Sequence, residues 1–214
     1  KTLNISPPDI AGREKIITSL FAKIPKDKLA TDVTAKQLAI MTIGFTGADL
    51  ANLVNRAKLF AAVDSGAKTI TYLHFKNALD YINFGPERKM VMSPEERKMT
   101  AYHEAGHAIV GLASSPHAFP VQYATIVPRS NALGLVSSSP DSDIYSMSYE
   151  MLKASLDRSL GGFLAEQKFN GGNIDKVSTG ASSDFEQANM TAKQIVHAGF
   201  GKRCGFFQPM TDIK

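Results

Sequence analysis

The sequence predicts a mainly α-helical chain carrying one small β-sheet, an α+β arrangement in two units. Three observations lead there. Four helical segments crowd into residues 11–84, a linker reading Gly85-Pro86-Glu87-Arg88-Lys89 follows them, and beyond it two short β-rich runs lie between long helical patterns. The boundary falls between residues 1–88 and 89–214. At 214 residues, 43% hydrophobic and 21% charged, the chain can bury one substantial core or two small ones.

The elements follow in order. Residues 13–23 place Ile16, Ile17, Leu20 and Phe21 on one side of a helix that Pro25 stops. Thr34 caps a short helix running to Met41, and Gly44-Phe45 breaks the pattern. Thr46-Gly47-Ala48-Asp49 is a capping-box signature opening a long run to Asp64, which Ser65-Gly66 ends. Thr71 opens a fourth helix carrying Phe75, Leu79 and Ile82. After the linker, Ser93-Pro94-Glu95-Glu96 combines an N-cap, a proline at the first helical position and a capping box. The helix it starts reaches about Ala113, and Met99, Tyr102, Ile109, Val110 and Ala113 are its expected buried positions. Residues 122–127 and 133–137 read as strands around Pro128-Arg129-Ser130-Asn131. Residues 138–148 read as a surface loop, 148–168 as a helix, Gly171-Gly172 as a turn, and a last helix starts at Ser182 or Ser183 and runs to about Ala198. No internal repeat is present.

Composition removes several function classes. A net charge of +4 and a pI near 9.1 are mild, and the basic residues are scattered along the sequence, so nucleic-acid binding is not expected. The single cysteine, Cys204, excludes an intramolecular disulfide framework or a cysteine-rich zinc cluster and reads as a packed residue. No apolar run approaches the ~20 residues needed to cross a bilayer, so this stretch of chain is expected to be soluble by itself. It begins at Lys1 with no signal-peptide pattern, as expected for a fragment or processed product.

The chemistry concentrates in His103-Glu104-Ala105-Gly106-His107. Residues four apart share a helix face, so both imidazoles can reach one ion at the ~2.0 Å that zinc prefers, with Glu104 beside it as a base. Catalytic zinc takes a third protein ligand, and the extended three-histidine pattern fails because Val110 and Ala113 occupy its glycine and histidine positions. His117 reads as a surface-loop residue, His197 sits on a helix face, and His74 lies far off before the linker. Asp184 follows the small-residue run Ser178-Thr179-Gly180-Ala181-Ser182-Ser183 into a helix start, where an acidic side chain is also favoured for structural reasons alone. Glu166 lies mid-helix after Gly161-Gly162. The residues by themselves leave Asp184 and Glu166 both open.

Longer motifs resemble one family, the FtsH-type, membrane-anchored, ATP-dependent metalloproteases, which include the mitochondrial AAA proteases. Pro8-Asp9-Ile10-Ala11-Gly12-Arg13-Glu14 and Gly44-Phe45-Thr46-Gly47-Ala48-Asp49-Leu50-Ala51-Asn52-Leu53-Val54-Asn55 resemble the end of its AAA+ module and its helical lid. Thr100-Ala101-Tyr102-His103-Glu104-Ala105-Gly106-His107-Ala108 resembles its zinc motif, and Ile126-Val127-Pro128-Arg129, Leu133-Gly134 and Ser178-Thr179-Gly180-Ala181-Ser182-Ser183-Asp184 follow in the family's order. Phe163, Ser183 and Ala198 depart from the residues usual at their positions.

The resemblance implies a four-helix AAA+ lid over residues 1–88 and a zincin-like metallopeptidase domain over 89–214. It implies zinc held by His103, His107 and Asp184, with Glu104 as the catalytic base. It also implies an edge strand at Thr125, Ile126, Val127, Leu133, Gly134 and Leu135 that takes extended substrate by backbone hydrogen bonding. Gly47 and Ala48 match lid positions close to nucleotide. For the full-length protein it implies ATP and Mg as further cofactors, unfolded polypeptide substrates, a homo- or hetero-hexamer and a role in protein quality control. Segments absent here would anchor it in a mitochondrial, plastid or bacterial inner membrane. This stretch contains no Gly-x-x-x-x-Gly-Lys-Ser/Thr loop, and Gly201-Lys202 is followed by Arg203, so it is not expected to hydrolyse ATP unaided. The competing expectation is a catalytically silent lid or interaction module with structural histidines; a non-proteolytic zinc hydrolase is disfavoured by the edge strand.

Overall fold

The computed structural model describes residues 6–130 and 132–200. Cys204, the Gly201-Lys202-Arg203 run and Asn131 of the predicted turn lie outside the described residues. The chain divides into two compact units, Lys1–Glu87 with Pro140–Asp143, and Arg88–Ser139 with Ile144–Lys214. The fold class is mainly helical with one two-stranded sheet among the described residues, as the patterning predicts.

The first unit holds α1 (Ile10–Phe21), a 3-10 turn (Lys26–Lys28), α2 (Ala35–Met41), α3 (Gly47–Val63) and α4 (Tyr72–Phe84). Each helix starts where a side chain satisfies its free amides. Asp9 accepts from the Gly12 amide, Thr34 pairs reciprocally with Gln37, and Thr46 pairs with Asp49. At α4 an imidazole replaces the usual carboxamide or carboxylate, with His74 Nδ1 accepting from the Thr71 amide at 3.0 Å. Because Asp9 is the cap, α1 opens at Ile10 rather than at residue 13, and it ends at Phe21, before the Pro25 turn. The apolar faces enclose one core built on Ile17, Leu38, Leu50, Leu53, Val54 and Phe75, all 2% exposed or less.

Arg13 is buried in this unit at 1% exposure. Its Nε donates to Ala39 O and its Nη1 to Pro8 O, both at 2.9 Å, while Nη2 lies 2.9 Å from Asp143 Oδ1 in an ion pair. Asp143 Oδ2 in turn accepts from the Ile10 amide at 2.7 Å. One carboxylate thus neutralises the buried guanidinium and caps α1. Residues 139–148 carry no helix or strand and none is buried, as the surface-loop reading expects, and Pro140–Asp143 clusters with the helical unit.

The second unit holds α5 (Pro94–Ala113), β1 (Val121–Thr125), β2 (Leu135–Ser138), α6 (Tyr149–Phe169) and α7 (Ser182–His197). Helix α5 packs on α6, α6 on α7, and the sheet lies against α5. The Ser93/Glu96 capping box opens α5 as predicted. The strands are antiparallel, pairing Thr125 with Leu135 and Ala124 with Val136, with an irregularity between Val121 and Tyr123. They are displaced from the predicted runs: Ile126, Val127, Leu133 and Gly134 fall in the connection, because Pro128 and the Arg129–Ala132 bridge take over the backbone there.

The expected buried face of α5 is also corrected. Tyr102 and Ile109 are 46% and 64% exposed and Ala113 is exposed, whereas Thr100, Glu104, Gly106 and Gly111 are buried. The reason lies in the α5–α6 crossing. A Cβ on Gly106 would meet Ala165 Cβ at 2.6 Å and the Gly161 carbonyl carbon at 2.8 Å, so the two backbones touch through glycine and only a narrow face can face inward. At the end of α6, Gly171 and Gly172 take φ of 68° and 87°, the left-handed turn that their sequence predicts. Among the described residues no helix is long and apolar enough to cross a membrane.

Candidate metal centre

On α5, His103 and His107 stand one above the other and direct both Nε2 atoms into the space facing α6 and α7. The Nε2 atoms are 3.0 Å apart. From the first turn of α7, Asp184 brings Oδ2 to 3.1 Å from His103 Nε2 and 3.4 Å from His107 Nε2. The side chains are 12%, 13% and 18% exposed. Among the described residues they form the set of three His, Cys, Asp or Glu side chains whose donor atoms lie within 4.8 Å of one another.

The shorter of the surrounding contacts favour one tautomer for each imidazole, the Gly162 amide lying farther from His107 Nδ1 at 3.3 Å. His107 Nδ1 is 2.7 Å from the carbonyl oxygen of Arg158, which can only accept, so Nδ1 carries the proton. His103 Nδ1 donates likewise to Glu166 Oε1 at 2.8 Å. Both Nε2 atoms therefore present lone pairs, and they face each other beside a carboxylate oxygen that is buried without a hydrogen-bond donor. In the neutral tautomers three lone pairs converge, an arrangement that a metal cation resolves and that a proton on one Nε2 resolves when no metal is bound. Two imidazoles and one carboxylate suit zinc, and three protein ligands leave room for a fourth. The donor set fits that ion.

The same closeness couples these groups electrostatically when protons rather than a metal occupy them. Burial would raise Asp184, but hydrogen bonds and charge from His103 and His107 outweigh it and hold the carboxyl at about 2. Burial alone would lower His103, yet Asp184, Glu104 and Glu166 together raise it. Burial pushes the Glu104 carboxyl up, against the opposing pull of His103 and His107. Glu104 is 7% exposed and faces the connection after β1: a Cβ on Gly134 would sit 2.8 Å from Glu104 Oε1 and 2.8 Å from the Thr125 carbonyl. Glycine at 134 is thus what lets that segment lie against the carboxylate.

Glu166, 2% exposed, occupies the Nδ1 side of His103 rather than the Nε2 side. It also accepts from the Ser178 amide at 2.7 Å and the Ser178 hydroxyl at 3.0 Å, so one carboxylate orients the imidazole and ties down the segment leading to Asp184. Gly162 closes the wall of the site. A Cβ there would come within 2.5 Å of His103 Cε1 and His107 Nε2. Arg158 links α6 to β2 through Ser138 Oγ, and Phe163 and Phe185, with ring centroids 5.1 Å apart, pack α6 against α7 beside Asp184.

Other predicted positions lie elsewhere. Thr125 and Leu135 pair in the ladder, while Ile126, Val127, Leu133 and Gly134 belong to the connection. Gly47 and Ala48 form the exposed first turn of α3 in the first unit. His117 is 3.3 Å from Glu150 on the surface, His197 ends α7, and His74 is a cap within the helical core. Sequence reasoning did not find Gly162, Ser178 or the Arg158 carbonyl; the glycine pair inside a long helical pattern was the available signal for the first.

Comparison with known proteins places these features. The profile of peptidase family M41 matches residues 90–212, and that of the AAA+ lid domain matches residues 32–77. The chain is 47% identical over 190 residues to the ATP-dependent zinc metalloprotease FtsH of Caulobacter vibrioides, covering 88% of this chain and 29% of that protein. It is 44% identical over 200 residues to the FtsH of Haemophilus influenzae, with 92% and 30% covered. To the Arabidopsis thaliana ATP-dependent zinc metalloprotease FTSH 11, chloroplastic/mitochondrial, it is 44% identical over 193 residues, with 90% and 23% covered. The chain thus spans less than a third of the length of these relatives. The M41 profile covers more than half of the chain, including both histidines, Glu104, Glu166 and Asp184, and the chain belongs to peptidase family M41.

Proposed function

We propose that this chain is the zinc metalloendopeptidase portion of a longer ATP-dependent protease, with zinc held by His103 Nε2, His107 Nε2 and Asp184 Oδ2. The observation that carries it is the convergence of two imidazole lone pairs and a donorless carboxylate oxygen within 3.4 Å. When bound, zinc supplies a Lewis acid that lowers the pKa of water toward neutrality and polarises a scissile carbonyl. Glu104, raised by burial, accepts the proton of the attacking water at its carboxylate and delivers it to the leaving amine. Glu166 and the Arg158 carbonyl hold the two imidazoles in the tautomers that leave Nε2 free. The Thr125 to Leu135 segment, which runs past Glu104 at Gly134, receives the substrate as an extended strand.

For the whole protein, the relatives' names and the AAA+ lid match support ATP with Mg as cofactors, with Gly47 and Ala48 near the nucleotide. The family resemblance supports unfolded polypeptide substrates, a hexameric assembly, and membrane anchoring through segments outside this chain. In the full-length protein, Glu104→Gln abolishes cleavage of an unfolded polypeptide, by ~100-fold or more, while zinc stays bound. Cleavage at the wild-type rate would refute the role of Glu104.

A further inference from the structure

Lysines that are scattered in the sequence gather in space within the first unit. Lys23, Lys28, Lys58 and Lys68 rim a cavity of about 440 Å³ whose lining contains no carboxylate. None of the four forms an ion pair among the described residues. Ile24, Pro25 and Ile70 contribute apolar surface to the same cavity, so it is lined by cations and hydrocarbon together. Its walls are tied together by backbone. The Ile70 amide donates to Lys28 O at 2.8 Å and the Ala30 amide to Ile70 O at 3.0 Å, pinning the 3-10 turn to the loop before α4.

We infer that this cavity is a docking site for an acidic peptide segment of a partner protein, which inserts one apolar side chain and pairs its flanking carboxylates with the lysines. Four unpaired ammonium groups around apolar surface match an anion that has an apolar body. A flat bilayer does not reach apolar residues that line a concavity.

The test is fluorescence anisotropy on the intact chain with a labelled twelve-residue peptide of Asp and Glu around a central Phe. Binding is expected at low salt, weakened about tenfold between 50 and 300 mM salt by screening. K58E/K68E weakens it about tenfold or more, and Ala62→Trp, which fills the cavity without changing charge, does so as well. Lys58→Gln/Lys68→Gln gives an intermediate loss, and unchanged thermal unfolding of each variant excludes misfolding. Replacing the peptide's Phe with Ser reduces affinity to that of polyglutamate. The inference is overturned if Ala62→Trp and the Ser peptide bind as tightly as the originals. It is equally overturned if inorganic pyrophosphate or vesicles of 7:3 phosphatidylcholine to phosphatidylserine engage the lysines while the peptide does not.

Discussion

His103 and His107 face each other Nε2 to Nε2 across 3.0 Å, while their Nδ1 atoms are engaged by Glu166 and by the Arg158 carbonyl. Asp184 Oδ2, 3.1 Å from the first of these nitrogens, adds a third lone pair. In their neutral tautomers these groups repel one another, and the proposed zinc, or in its absence a proton on one Nε2 donated to Asp184, relieves that repulsion.

Glu166 and Asp184 should separate by the size of their effect on zinc. Asp184→Ala removes a ligand, whereas Glu166→Gln removes only the charge that orients His103 and is expected to weaken zinc about 10- to 100-fold. Competition with a chromophoric chelator measures both. A larger loss for Glu166→Gln would reassign the ligand.

The glycines of α6 and α5 predict two distinct failures. Gly162→Ala puts a methyl within 2.5 Å of both imidazoles and should abolish zinc binding at little cost in helix content. Gly106→Ala forces α5 from the Gly161 backbone and should destabilise the second unit by about 1–3 kcal/mol. Urea unfolding followed by circular dichroism, with zinc titration alongside, distinguishes them.

In the first unit, Asp143→Ala leaves Arg13 buried without its countercharge and uncaps Ile10, an expected loss of about 3–5 kcal/mol. Adding Arg13→Met to that variant should recover part of the loss, because the unpaired charge is gone. A denaturation midpoint unchanged by Asp143→Ala would contradict the pairing.

Acid should loosen the start of α3. Asp49 is held below its ordinary range chiefly by the Thr46 hydroxyl, with the Thr46 amide adding to it. A carboxyl lowered by folding contributes stability that is present above its unfolded pKa, about 3.9, and lost as pH falls through the lower folded value. The acid limb of the unfolding curve should therefore be shallower in Asp49→Ala than in the wild type, and identical limbs would remove the contribution.

How far these features are legible in sequence depends on whether the physics is local. Helices α2 to α5 announce themselves through caps at Thr34, Thr46, Thr71 and Ser93, because capping is decided within four residues, whereas the sequence pattern alone placed the start of α1 three residues late. The spacing of His103 and His107 is local in the same sense. The inward face of α5 was misjudged because hydrophobic periodicity assumes an apolar contact, whereas here Gly106 meets Gly161 and the inward polar residues serve the site. Nothing local relates Glu166 to His103, 63 residues away, or Asp143 to Arg13. The choice between Asp184 and Glu166 likewise came from motif resemblance rather than from pattern, and the geometry supplies its physical reason: one carboxylate lies by Nε2, the other by Nδ1.

The central claim is tested most directly by anomalous scattering at the zinc edge from crystals of the zinc-loaded chain. One peak per chain is predicted, about 2.0–2.2 Å from His103 Nε2, His107 Nε2 and an Asp184 oxygen. A peak bound through Glu166, or no peak between the two imidazoles at full zinc loading, would contradict it.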